Sequence, residues 1–465
     1  MTATPTGIFH AADVNRDFNE YTITLEYWPE NRHIRGFQRV QYTNRTPVPL
    51  SRINFNLFFN AFSGDQGAGY EISNIFVNGT VSRFSLSDTR LTVFLPFLLL
   101  QGREVSVDIH FVSCIPETAG RTGANEYAAW FGNFVPLLAV FDREELQWRG
   151  DPVFPVGTPF FSRVANFTVR VTTPHGYRVV GTGDASIGEA GDRNVTAFSA
   201  MRVRDFAFAL SENYSETTRI SEAGVHITTF LLYDMDKTLR DESINMVLES
   251  LDYFSEIIGP YPYKALKIAE TGYGNGIAVY PMLMFINTPV ILEMDDEAAA
   301  AALITSVAKQ WFYGIVGHDP IREAWLSNGL SYYTAAMFMH RDDDEDLARF
   351  MGVLEDELRV VTEGLMNTAI AGHIMLFYED GGYNAIQTFK AALMFHYLRE
   401  VMGGEAYGEF LKIYYRDNYL ATASAEGLVR AAEEAHGECL REFFDIWLNG
   451  EGLPEMRLED EDINN

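Results

Sequence analysis

Two hydrophobic periodicities divide the chain. Between residue 18 and about residue 213, apolar residues alternate with polar ones, as in Tyr21-Ile23-Leu25 and Phe167-Val169-Val171. Successive side chains of a strand point to opposite faces, so this pattern predicts half-buried strands. Asn31, Asn44, Gly79, Gly120 and Gly181 are expected in turns between them, and residues 205–208 in the last strand. From about residue 214 the period lengthens. A short strand is predicted over 226–233 and a helix over 239–258, followed by strands near 266–270 and 282–286. Further helices are predicted over 295–316, 325–340, 344–365, 385–402, 405–416, 425–436 and 439–448. The reading is an α+β chain of two domains, residues 1–213 all-β and 214–450 α/β, with an acidic tail over 451–465.

Composition adds bounds. The 465 residues are 47% hydrophobic, 14% aromatic and 21% charged, ordinary values for a chain with sizeable cores. Thirty-five basic against 64 acidic residues give a net charge of −29. That balance argues against nucleic acid and anionic membrane surfaces as partners. The two cysteines, Cys114 and Cys439, fall in different predicted domains, so free thiols are expected. No segment is long and apolar enough to span a bilayer, and the first fifteen residues lack the basic-then-apolar form of a signal peptide.

The chemistry-bearing stretch is 300–332, AAALITSVAKQWFYGIVGHDPIREAWLSNGLSY. It resembles the zinc-binding segment of the M1 (gluzincin) metallopeptidases, which reads HExxH, then a distant Glu, around the words QWW/F(Y)G and WL(D/N)EG. Here Gln310-Trp311-Phe312-Tyr313-Gly314, Trp325-Leu326 and Gly329 match that frame. Laid on it, the first His falls on Thr305, the general-base Glu on Ser306 and the second His on Lys309. The third ligand falls on Asn328, nineteen positions on (328 − 309 = 19). Residues four apart share one helix face, which is how the family's two imidazoles meet one zinc. A catalytic zinc needs about three protein ligands. Thr and Asn are poor ligands, and a lysine ammonium has no lone pair. Ser306 cannot act as a positioned carboxylate base.

Two more stretches carry the resemblance. Residues 258–284 resemble the family's GPYPYKxLxxxET…GGMEYPGL, with GGME on Gly276-Ile277-Ala278-Val279. The Glu that binds a substrate's amino terminus is therefore Val279. Residues 388–404 resemble YxKGALFxxxLRxxxGG, which puts the oxyanion-stabilising Tyr on Thr388 and a Gly on Ala391. Tyr383 and Tyr378, just upstream, are candidates to replace that phenol. Residues 131–163 resemble LGNWxPxLAVY…GDPFYS of bacterial M1-like proteins. The resemblance covers roughly 18–450. It implies an amino-terminal β-sandwich-like domain and a thermolysin-like α/β domain with a cleft between. It also implies an extracytoplasmic or membrane-tethered setting.

The site residues then imply a pseudoenzyme without metal or other cofactor. Its cleft, formed by Gly276, Ile277, Ala278, Val279, Tyr280, Lys309, Asn328, Tyr383 and Thr388, is expected to bind a peptide or protein segment or to support pairing with an active paralogue. Lys309 is expected to fill the emptied site and bond Thr305, Ser306 or Asn328. The alternative is an active hydrolase using a Ser306/Lys309 nucleophile, three positions apart, or a metal elsewhere. Other motifs read as scaffold. Residues 341–346 lack the spacing of a calcium loop. Gly272, Gly274 and Gly276 lack the following helix of a phosphate loop. No two of His318, His340, His373 and His396 are four apart.

Overall fold

A computed structural model describes residues 18–62, 69–232, 237–378 and 381–454. The reading of the first fifteen residues, the 455–465 part of the expected tail, and Tyr233 at the end of the predicted strand lie outside them. The first half is β-rich. An eight-stranded sheet is built around Asn19–Trp28, which pairs in parallel with Ala165–Pro174 and antiparallel with His33–Thr43. Two four-stranded sheets add Leu50–Asn56 with its neighbours and Phe208–Ser211 with its neighbours. The alternation does what it implies: Tyr21, Ile23 and Leu25 are buried and their neighbours are not. The sheets share one core, whose centre includes Phe131 stacked on Phe208 at 4.2 Å.

Two sequence expectations shift here. Gly181 closes the strand Arg178–Gly181 and is not in a turn. The last strand of this half is Phe208–Ser211, and residues 205–207 lead into it.

In the second half a five-stranded sheet runs in the order Ser215–Ile220, His226–Leu231, Ala265–Glu270, Leu283–Ile286, Ile277–Tyr280. Ile277–Tyr280 is the edge strand, antiparallel to Leu283–Ile286. The helices follow. Asp295 caps Asp296–Lys309 by accepting from the Ala298 amide at 2.8 Å, with Asp296 and Glu297 in the first turn and Lys309 in the last. Both ends suit the helix dipole. The turn then widens into a π-helix, Gln310–Ile315. The next helix, Trp325–Met339, crosses Ala391–Met402 at Gly329, where a Cβ would lie 2.4 Å from the Ala391 Cβ. Trp311 and Trp325 are both buried in the core of this half. No helix among the described residues is long and apolar enough to cross a membrane.

Candidate functional site

Gln310 sets the geometry of the cleft. Its buried amide accepts from the Met282 amide at 2.9 Å and from the Tyr261 hydroxyl at 3.3 Å, and donates to the Tyr280 carbonyl at 3.0 Å. These bonds clamp the helix Asp296–Lys309 against the end of the edge strand. Trp311 fixes the other side, its indole N–H donating to the Gly259 carbonyl at 2.8 Å.

Thr305, Lys309, Asn328, Thr388, Ile277 and Val279 are all half-buried, while Ser306, Val307, Ala308, Ala278 and Tyr280 beside them are buried. Each of the residues at these expected site positions is therefore partly open to solvent. Gly276, also buried, takes a left-handed φ of 80° at the turn into the edge strand, a conformation that favours glycine.

The contacts among these residues differ from the expected ones. The Lys309 ammonium makes no hydrogen bond to Thr305, Ser306 or Asn328. Thr305 Oγ1 is buried without a partner, and Ser306 Oγ donates to the Ala302 carbonyl at 2.8 Å. A Ser or Thr hydroxyl in a helix reaches back to the preceding turn in this way, which turns Ser306 away from Lys309. Asn328 Nδ2 donates instead to the Tyr383 hydroxyl at 3.1 Å. Tyr383 thus stands against the third-ligand position, packed on Gly157 from the β-rich half. Burial pushes its phenol up to about 12, so it is a neutral donor at physiological pH.

The β-rich half contributes residues that the motif spacings did not point to. Arg121 enters from a loop that Gly274 meets by donating its amide to the Ala119 carbonyl at 2.7 Å. Its guanidinium lies 5.0 Å from the Phe160 ring centroid and 5.5 Å from that of Tyr273. It donates to Thr158 Oγ1 at 3.2 Å and to the Tyr280 hydroxyl at 3.5 Å. Tyr280 reaches Asn133 at 3.5 Å, and Asn133 donates to Asp205 at 2.7 Å. Asp205 is buried, and burial pushes its carboxyl up to about 7 against the bonds from Asn133 and the Phe206 amide. Burial also pulls the Lys309 ammonium down to about 8, with Arg121 adding like-charge repulsion. No sequence reading pointed to this network, and nothing there linked Arg121 to the helix.

The donor set does not suit zinc. Thr, Lys and Asn stand at the three ligand positions, and no group of three or more His, Cys, Asp or Glu among the described residues could hold a metal. His318 is pushed down to about 3 by burial, then by Arg204 and Lys309. A fixed cation at the second ligand position would also repel a divalent ion.

Residues 270–447 match the peptidase family M1 domain. The chain is 21% identical to glutamyl aminopeptidase of Sus scrofa over 319 residues, 64% of this chain and 33% of that protein. It is 24% identical to leukotriene A-4 hydrolase of Xenopus laevis over 368 residues, 74% of this chain and 58% of that protein. It therefore spans about a third of the length of the curated aminopeptidase it matches. Its fold is that of the M1 zinc metallopeptidase from Deinococcus radiodurans, with a TM-score of 0.73 over 94% of this chain and 95% of the other at 20% identity. The fold is thus that of a two-domain M1 metallopeptidase, β-rich then helical, and residues 270–447 are similar to the M1 peptidase domain.

Proposed function

We propose that this chain is a pseudopeptidase, which holds a peptide or protein segment in the cleft without hydrolysing it. The observation that carries this reading is Lys309. A half-buried ammonium stands where an M1 enzyme needs an imidazole, with Thr305 and Asn328 at the other two ligand positions. Without those ligands the chain has no means of lowering the pKa of a bound water. Val279 and Thr388 remove two further family functions, capture of a free amino terminus and stabilisation of an oxyanion. The edge strand beside the groove offers backbone donors and acceptors to an extended segment.

The rival hydrolase reading has weaker support, because Ser306 donates to Ala302 rather than to Lys309. If hydrolysis is detected and survives Ser306→Ala, a serine nucleophile is excluded. The direct test is zinc content by plasma mass spectrometry after incubation with zinc and desalting. Near-zero zinc per chain is expected. About one zinc per chain, together with aminopeptidase activity, would overturn the reading.

A further inference from the structure

We propose that a cavity against the five-stranded sheet is a binding site for a single aliphatic chain with an oxygen-bearing head. It is independent of what the cleft binds. The cavity has a volume of about 390 Å³ and lies between the sheet, the helices Lys237–Ile257 and Thr288–Leu292, and the first half of the helix Asp296–Lys309. From that last helix it takes Ala299, Ala300 and Leu303. At about 100° per residue, these three share a face roughly opposite that of Thr305 and Lys309.

Packed interiors leave few voids larger than a water molecule, whereas this one has room for roughly a dozen water-sized groups. Its walls are aliphatic. Ile244, Val247 and Ile268 are buried, while Leu239, Leu292 and Met294 stay 37%, 56% and 37% exposed. The cavity therefore runs from a solvent-facing apolar rim to an apolar floor, the form of a small-ligand site. None of the described residues that line it is aromatic, so a flat ring would find no stacking partner. Branched side chains with Met246 and Met294 among them suit a flexible chain instead.

The polar groups select the head. Ser243 Oγ donates to the Leu239 carbonyl at 2.9 Å and Thr229 Oγ1 to the Thr217 carbonyl at 3.4 Å, so these two lining hydroxyls are spent. Thr288 is only 6% exposed, and its Oγ1 has no hydrogen-bond partner. Arg240 Nε is also buried and makes no hydrogen bond; the Asp241 carboxylate 3.8 Å from it is held by Arg219 at 2.8 Å. A buried hydroxyl and a buried N–H each need a partner, and an oxygen accepts from either. Glu242 and Asp296 line the cavity too, both exposed, and they oppose a general anion site. The head is therefore defined by its accepting oxygen, whether a hydroxyl or a carboxylate.

The test is calorimetric titration of the full chain with hexanoate, decanoate and decanol, each below its micelle or solubility limit. One-to-one binding of decanoate, decanol or both is expected, and their relative affinities tell a charged head from a neutral one. Hexanoate should bind about tenfold or more weakly, because it buries fewer methylenes. Decyltrimethylammonium, with the same chain and no acceptor, should also bind more weakly than either ten-carbon ligand. Ala300→Phe fills the cavity from a half-buried helix position and should abolish the binding. Thr288→Val keeps the apolar contact and loses the hydroxyl, so the ten-carbon ligands should bind about two- to tenfold more weakly. Should Ala300→Phe fail to fold, Thr288→Val still reads the site. No one-to-one binding of either ten-carbon ligand, equal affinity for hexanoate or for the ammonium, or unchanged affinity in either folded variant would overturn the proposal.

Discussion

A lysine at the end of a helix is unremarkable until its neighbours are known. Lys309 satisfies the dipole of the helix Asp296–Lys309, and in isolation that would be its whole role. Burial first, and then the Arg121 charge, pull its ammonium down to about 8. Asp205 is the converse case, a carboxyl that burial keeps protonated to about pH 7. An acid whose pKa is raised on folding stabilises the native state below its unfolded value, and that stability is lost as pH rises toward the folded value. The stability difference between wild type and Asp205→Asn should therefore fall between about pH 4 and pH 7, by at most roughly 4 kcal/mol. Thermal melts of both proteins across that range check it, and a constant difference would show that Asp205 is ionised throughout. Gln310 makes a simpler prediction. Gln310→Leu leaves the Met282 amide and the Tyr280 carbonyl buried without partners, so a loss of about 2–4 kcal/mol is expected in denaturant unfolding.

At the scale of elements, helix geometry decides which of the proposed site positions share a face. The helix Asp296–Lys309 puts positions 305 and 309 on one face, and the helix Trp325–Met339, which carries position 328, packs against it. Restoring the ligands by Thr305→His, Ser306→Glu, Lys309→His and Asn328→Glu together should therefore give a chain that retains about one zinc. Its peptidase activity should stay low, because Val279 and Thr388 remain. Plasma mass spectrometry reads the first outcome and an aminoacyl-anilide assay the second; no zinc uptake would mean that the groove has closed beyond repair. The crossing of two helices at Gly329 is equally demanding. Gly329→Ala places a methyl 2.4 Å from the Ala391 Cβ, and overpacking of this kind costs about 1–3 kcal/mol.

At the scale of the molecule, the two halves are joined by buried polar contacts as well as by packing. Arg204, buried in the β-rich half, donates to the carbonyls of Ile315 and Ala421 in the helical half, and Gly317 packs against its guanidinium. Arg149 reaches across to Asp319 at 2.5 Å. Arg204→Met strands two carbonyls at the junction. It should cost about 2–4 kcal/mol, and it should separate the unfolding of the halves, seen as two transitions in calorimetry where the wild type gives one. The contact of Tyr383 with Gly157 depends on this junction, because the two residues come from different halves.

Much of this was legible in the sequence. The period-two and helical patterns gave the order of elements, since they record which face of each element meets the core. The motif frame suggested which positions share a face, because helical spacing converts sequence separation into a shared face. The identities at 305, 309 and 328 argued against zinc on ligand chemistry alone. What remained hidden depended on contacts between distant segments. Ser306 turns to Ala302, Tyr383 meets Asn328, and Arg121 arrives from a loop almost two hundred residues before Lys309. No local pattern encodes such meetings. They are decided when the two halves pack, because only packing brings segments distant in sequence within bonding distance.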